Sequence, residues 1–186
     1  MIKKISDYFL KIASLRTFLA ALAIYLVFGT YVMPTGAKKF EEKAGQKVEI
    51  LDLQFTYSPA KARQIIDKYG QGGRDYAIQF GLVADTFYPV AYTFLFLIIT
   101  SLIFKNLKSR GLNTGSLHLF PLVIVPVDYL ENLSIANLML NYPHVTDNEI
   151  QIASFFTSLK WCLVAGLVLI ILGALVLLVT KKPARA

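Results

Sequence analysis

The sequence predicts an all-α membrane protein: a bundle of four transmembrane helices with a small extracytoplasmic cap between the first and second spans. Three observations carry that expectation. Of 186 residues, 55% are hydrophobic and the mean hydropathy is +0.54, too apolar for a soluble domain of this length. The apolar residues gather into four runs near the ~20 residues that cross a ~30 Å hydrocarbon core. The 19 Lys and Arg residues against 12 Asp and Glu give a net charge of +7, and they flank the runs instead of forming one patch. They therefore read as topology signals, and no nucleic-acid partner is expected.

Residues 1–16 place Ile2, Ile5, Phe9 and Ile12 on one helical stripe, with Lys3, Lys4, Lys11 and Arg16 largely off it. This is a basic amphipathic helix on the anionic cytoplasmic leaflet, or else a basic flank that fixes orientation. Span one covers 17–33 and is expected to end at Pro34. A cleaved signal peptide is the rival reading, because Thr35, Gly36 and Ala37 follow the run, but the run exceeds the ~7–15 residues of a signal core. The single domain then continues with a charged cap over 34–75. Within the cap, 48–55 reads as a short extended piece. Ser58 and Pro59 open a helix whose Ala62, Ile65, Ile66 and Tyr69 share a face, Gly70 closes it, and Gly72 with Gly73 gives a bend.

Span two is expected at 76–104, span three at 117–140 and span four at 150–180. Basic residues flank the N-terminus, the connection after span two (Lys105, Lys108, Arg110) and the C-terminus (Lys181, Lys182, Arg185). By the positive-inside rule both termini are cytoplasmic, in a multi-pass protein of the cytoplasmic (inner) membrane. Cys162 is the only cysteine, and His118 and His144 are the only histidines. No intrachain disulfide forms, no metal site is expected, and no cofactor fingerprint is present. His118 is read as an interfacial residue.

An ionisable side chain at mid-bilayer costs at least ~2.5–3.5 kcal/mol, so each must face the bundle interior, pair, or lie nearer the interface. In span four, 161–179 alone is long enough to cross the core, which puts Lys160 at the outer boundary beside Trp161. Asp85 falls near the outer boundary of span two by the same count. Span three allows no such escape: Asp128 lies near the midplane, with Glu131 and Asn132 on the same face. Two carboxyls this close call for a shared proton or a cation, for which Arg74 and Lys160 are the candidates. Asp85, Tyr88 and Tyr92 form a second polar stripe on span two. Asp85, Tyr88, Tyr92, Asp128, Glu131, Asn132, Arg74 and Lys160 together are thus either an outward-facing ligand pocket or a structural hydrogen-bond network between helices.

Tyr57-Ser58-Pro59, Tyr69-Gly70, Gly73-Arg74, Tyr76, Asp85, Tyr88-Pro89 and Asp128 with Glu131-Asn132 resemble a pattern of small uncharacterised bacterial four-span membrane proteins, over about residues 50–140. The resemblance implies the architecture and no activity. Proteins of the emopamil-binding type offer an analogy, four or five spans with intramembrane carboxylates around a cationic or sterol-like ligand, but the paired His and Glu pattern is missing here.

Three functions stay open. The first is binding of a lipid-like or cationic amphiphile, or of a partner helix from another membrane protein or a second copy. The second is acid–base catalysis by Asp128 and Glu131 on an apolar substrate, of the isomerase or hydratase type. The third is a proton- or ion-coupled transport component. The sequence holds no nucleophile motif, which leans away from an enzyme.

Overall fold

The computed structural model describes residues 1–112 and 114–181, so Lys182 and Arg185 of the expected cytoplasmic tail lie outside the described residues. The described chain is helical and contains no strand: α1 Ile2–Ile12, α2 Leu15–Val27, a π-helical turn Phe28–Val32, α3 Met33–Ala44, α4 Pro59–Ser109, α5 Pro121–Asn141 and α6 Asp147–Thr180, with single 3-10 turns at Leu51–Leu53 and Leu117–Leu119. Four stretches are long and apolar enough to cross a membrane: Leu15–Ala44, Val83–Ser109, Leu117–Asn141 and Asp147–Thr180.

Several expected boundaries move. The first apolar helix does not stop at Pro34, and 34–44, expected to open the cap, continues within α3. A proline ring normally collides with the carbonyl four residues back. Here the wider π turn relieves that crowding, and Pro34 sits in the first turn of α3, where its missing N–H costs little. The stretch 48–55 is extended only around the 3-10 turn Leu51–Leu53. Gly72 and Gly73 are helical, and the one break in α4 is Gly70, at φ 58° and ψ 177°. Two helical arms, 59–69 and 71–109, meet there. Span four begins earlier than expected, at Asp147, because Thr146 and Glu149 form a reciprocal cap: the Thr146 amide donates to Glu149 Oε2 at 2.8 Å and the Glu149 amide to Thr146 Oγ1 at 3.3 Å.

The chain divides into two compact units. The first comprises Met1–Tyr25, Val90–Val125 and Leu163–Ala186. Ala13 ends α1, and Ser14 caps α2 through reciprocal bonds with Thr17, at 3.0 and 3.3 Å. Lys105 Nζ donates to the Ala13 carbonyl at 3.4 Å, and the Arg110 guanidinium donates to the carbonyls of Leu178 and Lys181, satisfying the last turn of α6. His118, expected at an interface, is fully buried. The turn Leu117–Leu119 tucks its ring near Phe104, and its carbonyl accepts the Thr100 hydroxyl at 2.8 Å.

The second unit comprises Leu26–Pro89 and Pro126–Cys162. Its core is built on the arm 59–69, whose Ala62, Ile65, Ile66 and Tyr69 are all at most 1% exposed and pack with Leu138 of α5 and Ile150 and Ala153 of α6. Ser58 caps the arm by accepting the Lys61 amide at 3.2 Å. Arg63 ties it to the start of α6 through Asp147 at 2.6 Å and the Val145 carbonyl at 2.9 Å. Helix α3 comes close because a glycine stands on one side of each contact: a Cβ on Gly36 would stand 2.1 Å from the Phe80 ring, and one on Gly73 3.3 Å from Phe40. Phe40 meets Tyr69 edge to face at 4.7 Å.

The backbone at Gly70 is one that only glycine adopts without strain. Gly70→Ala is expected to lower stability by about 1–3 kcal/mol, read as a drop in thermal midpoint in detergent, while Gly29→Ala, where an added Cβ meets nothing within 4 Å, leaves it near wild type. A second expectation concerns alkali. Burial disfavours the phenolates of Tyr57 and Tyr69, so both ionise well above the ordinary value of 10.0. Unfolding releases these protons first. Their contribution is therefore intact below about pH 10 and falls by about 1.4 kcal/mol per tyrosine for each pH unit above it. Tyrosinate absorbance should show late-titrating groups that include Tyr57 and Tyr69, and Tyr57→Phe should flatten the alkaline loss of stability.

Candidate functional site

The site lies in the second unit, and α5 organises it. Helical spacing puts Asp128, Glu131 and Asn132 together. Glu131 has no exposed side-chain surface, and the Lys160 ammonium of α6 lies 2.5 Å from its Oε2. Of the two candidate cations, Lys160 is thus the one that reaches the acidic face. Lys160 Nζ also donates to the Asp52 carbonyl at 3.4 Å, as does Trp161 Nε1 at 3.1 Å. One turn earlier, the buried Thr157 hydroxyl stands beside Glu131 and 3.3 Å from the Tyr57 hydroxyl. Ser154 Oγ accepts the Tyr57 amide at 3.0 Å, and Ser158 Oγ donates to the Phe55 carbonyl at 2.9 Å. The segment 50–58 is therefore fastened to one face of α6 by successive polar side chains.

Arg74 goes elsewhere. Its guanidinium donates to Gln71 Oε1 at 2.8 Å and lies 4.8 Å over the Tyr142 ring. Gln71, on the same helix, and Tyr142, after α5, hold it away from the acidic face. Asp128, 7% exposed, accepts from Asn132 Nδ2 at 2.9 Å. The other Asn132 proton goes to the Asp85 carbonyl at 3.3 Å, and Tyr129 donates to the Thr86 carbonyl at 2.8 Å. Pro89 explains the first of these bonds. It has no N–H, so the carbonyl four residues back, that of Asp85, loses its helical donor and takes one from α5.

Beside this network the unit has an open cavity of about 1050 Å³. Helix α3 supplies Met33, Gly36 and Phe40, and the loop supplies Ile50 to Leu53. Helix α4 supplies Tyr76, Phe80, Asp85 and Tyr88, while α5 supplies Tyr129, Asn132, Ile135 and Met139. Tyr76 and Phe80 stack at 5.8 Å, and Phe28 lies 5.9 Å from Tyr88. The lining is mostly apolar and aromatic; among the described residues Asp52 and Asp85 are its acids and no Lys, Arg or His lines it.

Of the residues singled out from sequence, Asp85, Tyr88 and Asn132 line the cavity. Asp128, Glu131 and Lys160 are not among its lining residues, Arg74 is tied up in the arm region, and Tyr92 belongs to the other unit. Sequence reasoning missed Asp52, Tyr57, Tyr76, Phe80, Thr157 and Ser154. Tyr76 and Phe80 do stand at i and i+4 in the run before Pro89, the spacing of one helical face. Among the described residues no group of three His, Cys, Asp or Glu could hold a metal.

Removing Lys160 alone leaves a carboxyl buried without its cation. Lys160→Met is expected to cost about 3–5 kcal/mol in thermal stability, and Lys160→Met with Glu131→Leu to recover most of it. Strictly additive losses would show that the pair is not coupled.

No family model, no curated protein and no solved structure matches this chain.

Proposed function

We propose that the chain is a four-helix-bundle protein of the cytoplasmic (inner) membrane, with both termini cytoplasmic, that binds a lipid-like amphiphile in the cavity of its second unit. The cavity itself carries this reading: about 1050 Å³ of mostly apolar, aromatic-lined space is at the upper end of the ~300–1,000 Å³ usual for ligand sites, room for a long-chain molecule. Orientation rests on charge. Lys3, Lys4, Lys11, Lys105, Lys108, Arg110 and Lys181 flank the ends of the apolar helices with Asp7 as the only acid among them, which the positive-inside rule assigns to the cytoplasm. The cavity then opens towards the outer leaflet.

Binding is favoured over acid–base catalysis by the placement of the carboxyls. Glu131 is paired with Lys160, Asp128 is bonded to Asn132, and neither lines the cavity where a substrate would sit. A transport role has no comparable support.

Native mass spectrometry of the protein in mild detergent tests the proposal. Wild type is expected to retain a mass in the lipid range, and Ala136→Phe, which fills the cavity from α5, to lose it. A retained protein mass would point instead to a partner helix or a second copy in the same groove. A bare wild-type spectrum, or equal retention by the variant, would overturn lipid binding.

A further inference from the structure

Which amphiphile the cavity takes depends on what its polar groups lack, and this step rests on the binding reading above. Asp85 is the critical residue. Its backbone carbonyl is bonded by Asn132, but no donor among the described residues bonds its carboxyl. That carboxyl folds back over Gly81, where an added Cβ would lie 2.9 Å from Oδ2, and it faces the cavity. Asp52, the second acid of the lining, is close enough to interact with it electrostatically. The cation nearest this region, Lys160, is committed to Glu131 and to the Asp52 backbone. A carboxylate in a mostly apolar cavity with no protein cation in the lining is costly as it stands, and a bound cation removes that cost.

The aromatic groups point the same way. Tyr76 and Phe80 stack into one wall on α4, Tyr88 continues it past Asp85, and Tyr129 faces it from α5. Aromatic faces beside a carboxylate are the chemistry that holds alkylammonium groups, since the ring quadrupole attracts a cation too weakly hydrated to demand a full shell of water. Met33, Ile135 and Met139 supply the apolar surface an alkyl tail needs. An anionic head would meet two acids and no basic residue.

We infer that the ligand is a cationic amphiphile, with an amine or quaternary-ammonium head held by the Asp85 carboxylate against the tyrosine wall and its chain along α3 and α5.

Trp161 is the only tryptophan, and its indole bonds the Asp52 carbonyl, so its fluorescence reports on the cavity. The full chain in nonionic maltoside micelles is titrated with dodecyltrimethylammonium, dodecanol and dodecyl sulfate. Saturable quenching or enhancement is expected at the lowest concentration with the ammonium compound, at a higher one with the alcohol, and not with the sulfate. Asp85→Asn should raise half-saturation for the ammonium compound roughly tenfold and leave that for dodecanol unchanged, the latter showing that the variant is folded. Equal affinity of wild type and Asp85→Asn for dodecyltrimethylammonium overturns the cation assignment while dodecanol binding, abolished in Ala136→Phe, upholds the cavity. Failure of all three compounds to bind wild type overturns both.

Discussion

The ion pair between Glu131 and Lys160 is the constraint on which the second unit depends. Two charges taken out of water are tolerated only when geometry and further hydrogen bonds offset the desolvation, and such a pair more often specifies an arrangement than adds stability. Here the arrangement includes a loop. With Glu131 satisfied at 2.5 Å, the same ammonium reaches the Asp52 carbonyl, and Trp161 bonds that carbonyl from the next residue of α6. Asp52 is thereby held at the cavity wall together with Ile50, Leu51 and Leu53. A charge pair that never touches the cavity thus decides which side chains one of its walls presents.

A second constraint comes from Pro89. The proline frees a carbonyl in α4, and in an apolar environment a freed carbonyl must find a donor. Asn132 supplies it, and Tyr129 bonds the adjacent carbonyl of Thr86. The polar residues of α5 are therefore largely consumed in holding α5 to α4 and to α6. Functional and structural readings of the acidic stripe divide by residue: Glu131, Asp128 and Asn132 act as connectors, whereas the Asp85 carboxyl is left facing open space.

This division marks the limit of what the sequence made legible. Apolar runs, the Ser58 cap and the buried face of 59–69 follow from local periodicity and chemistry, and the structure shows that face buried. The helical passage through Pro34 was not legible, because whether a proline ends a helix depends on a π turn before it that has no compositional mark. Spacing put Asp128, Glu131 and Asn132 on one face but could not say which neighbour each would meet. That choice is tertiary: Lys160 was the better placed in depth and Arg74 the better suited in geometry to bridge two carboxyls, and Arg74 is drawn off by Gln71 and the Tyr142 ring. Asp52 was invisible for a related reason. Among the many charges of 38–52 nothing separates it until Lys160 and Trp161 bind its backbone.

The wall opposite the ion pair is built differently. Among the described residues α3 makes no buried polar anchor to α4; it approaches through Gly36 under the Phe80 ring and through Phe40 against Tyr69 and Gly73. Such contacts are van der Waals packing, many small terms without the directional lock of a hydrogen bond, and in a bilayer lipid chains offer nearly equivalent contacts. The loop wall is thus fixed by charge and hydrogen bonds while the α3 wall is held by shape alone. For the long-chain ligand proposed above, α3 is the cheaper wall to displace, so the proposal implies entry on the side bearing Met33, Gly36 and Phe40 and a head on the side bearing Asp52 and Asp85.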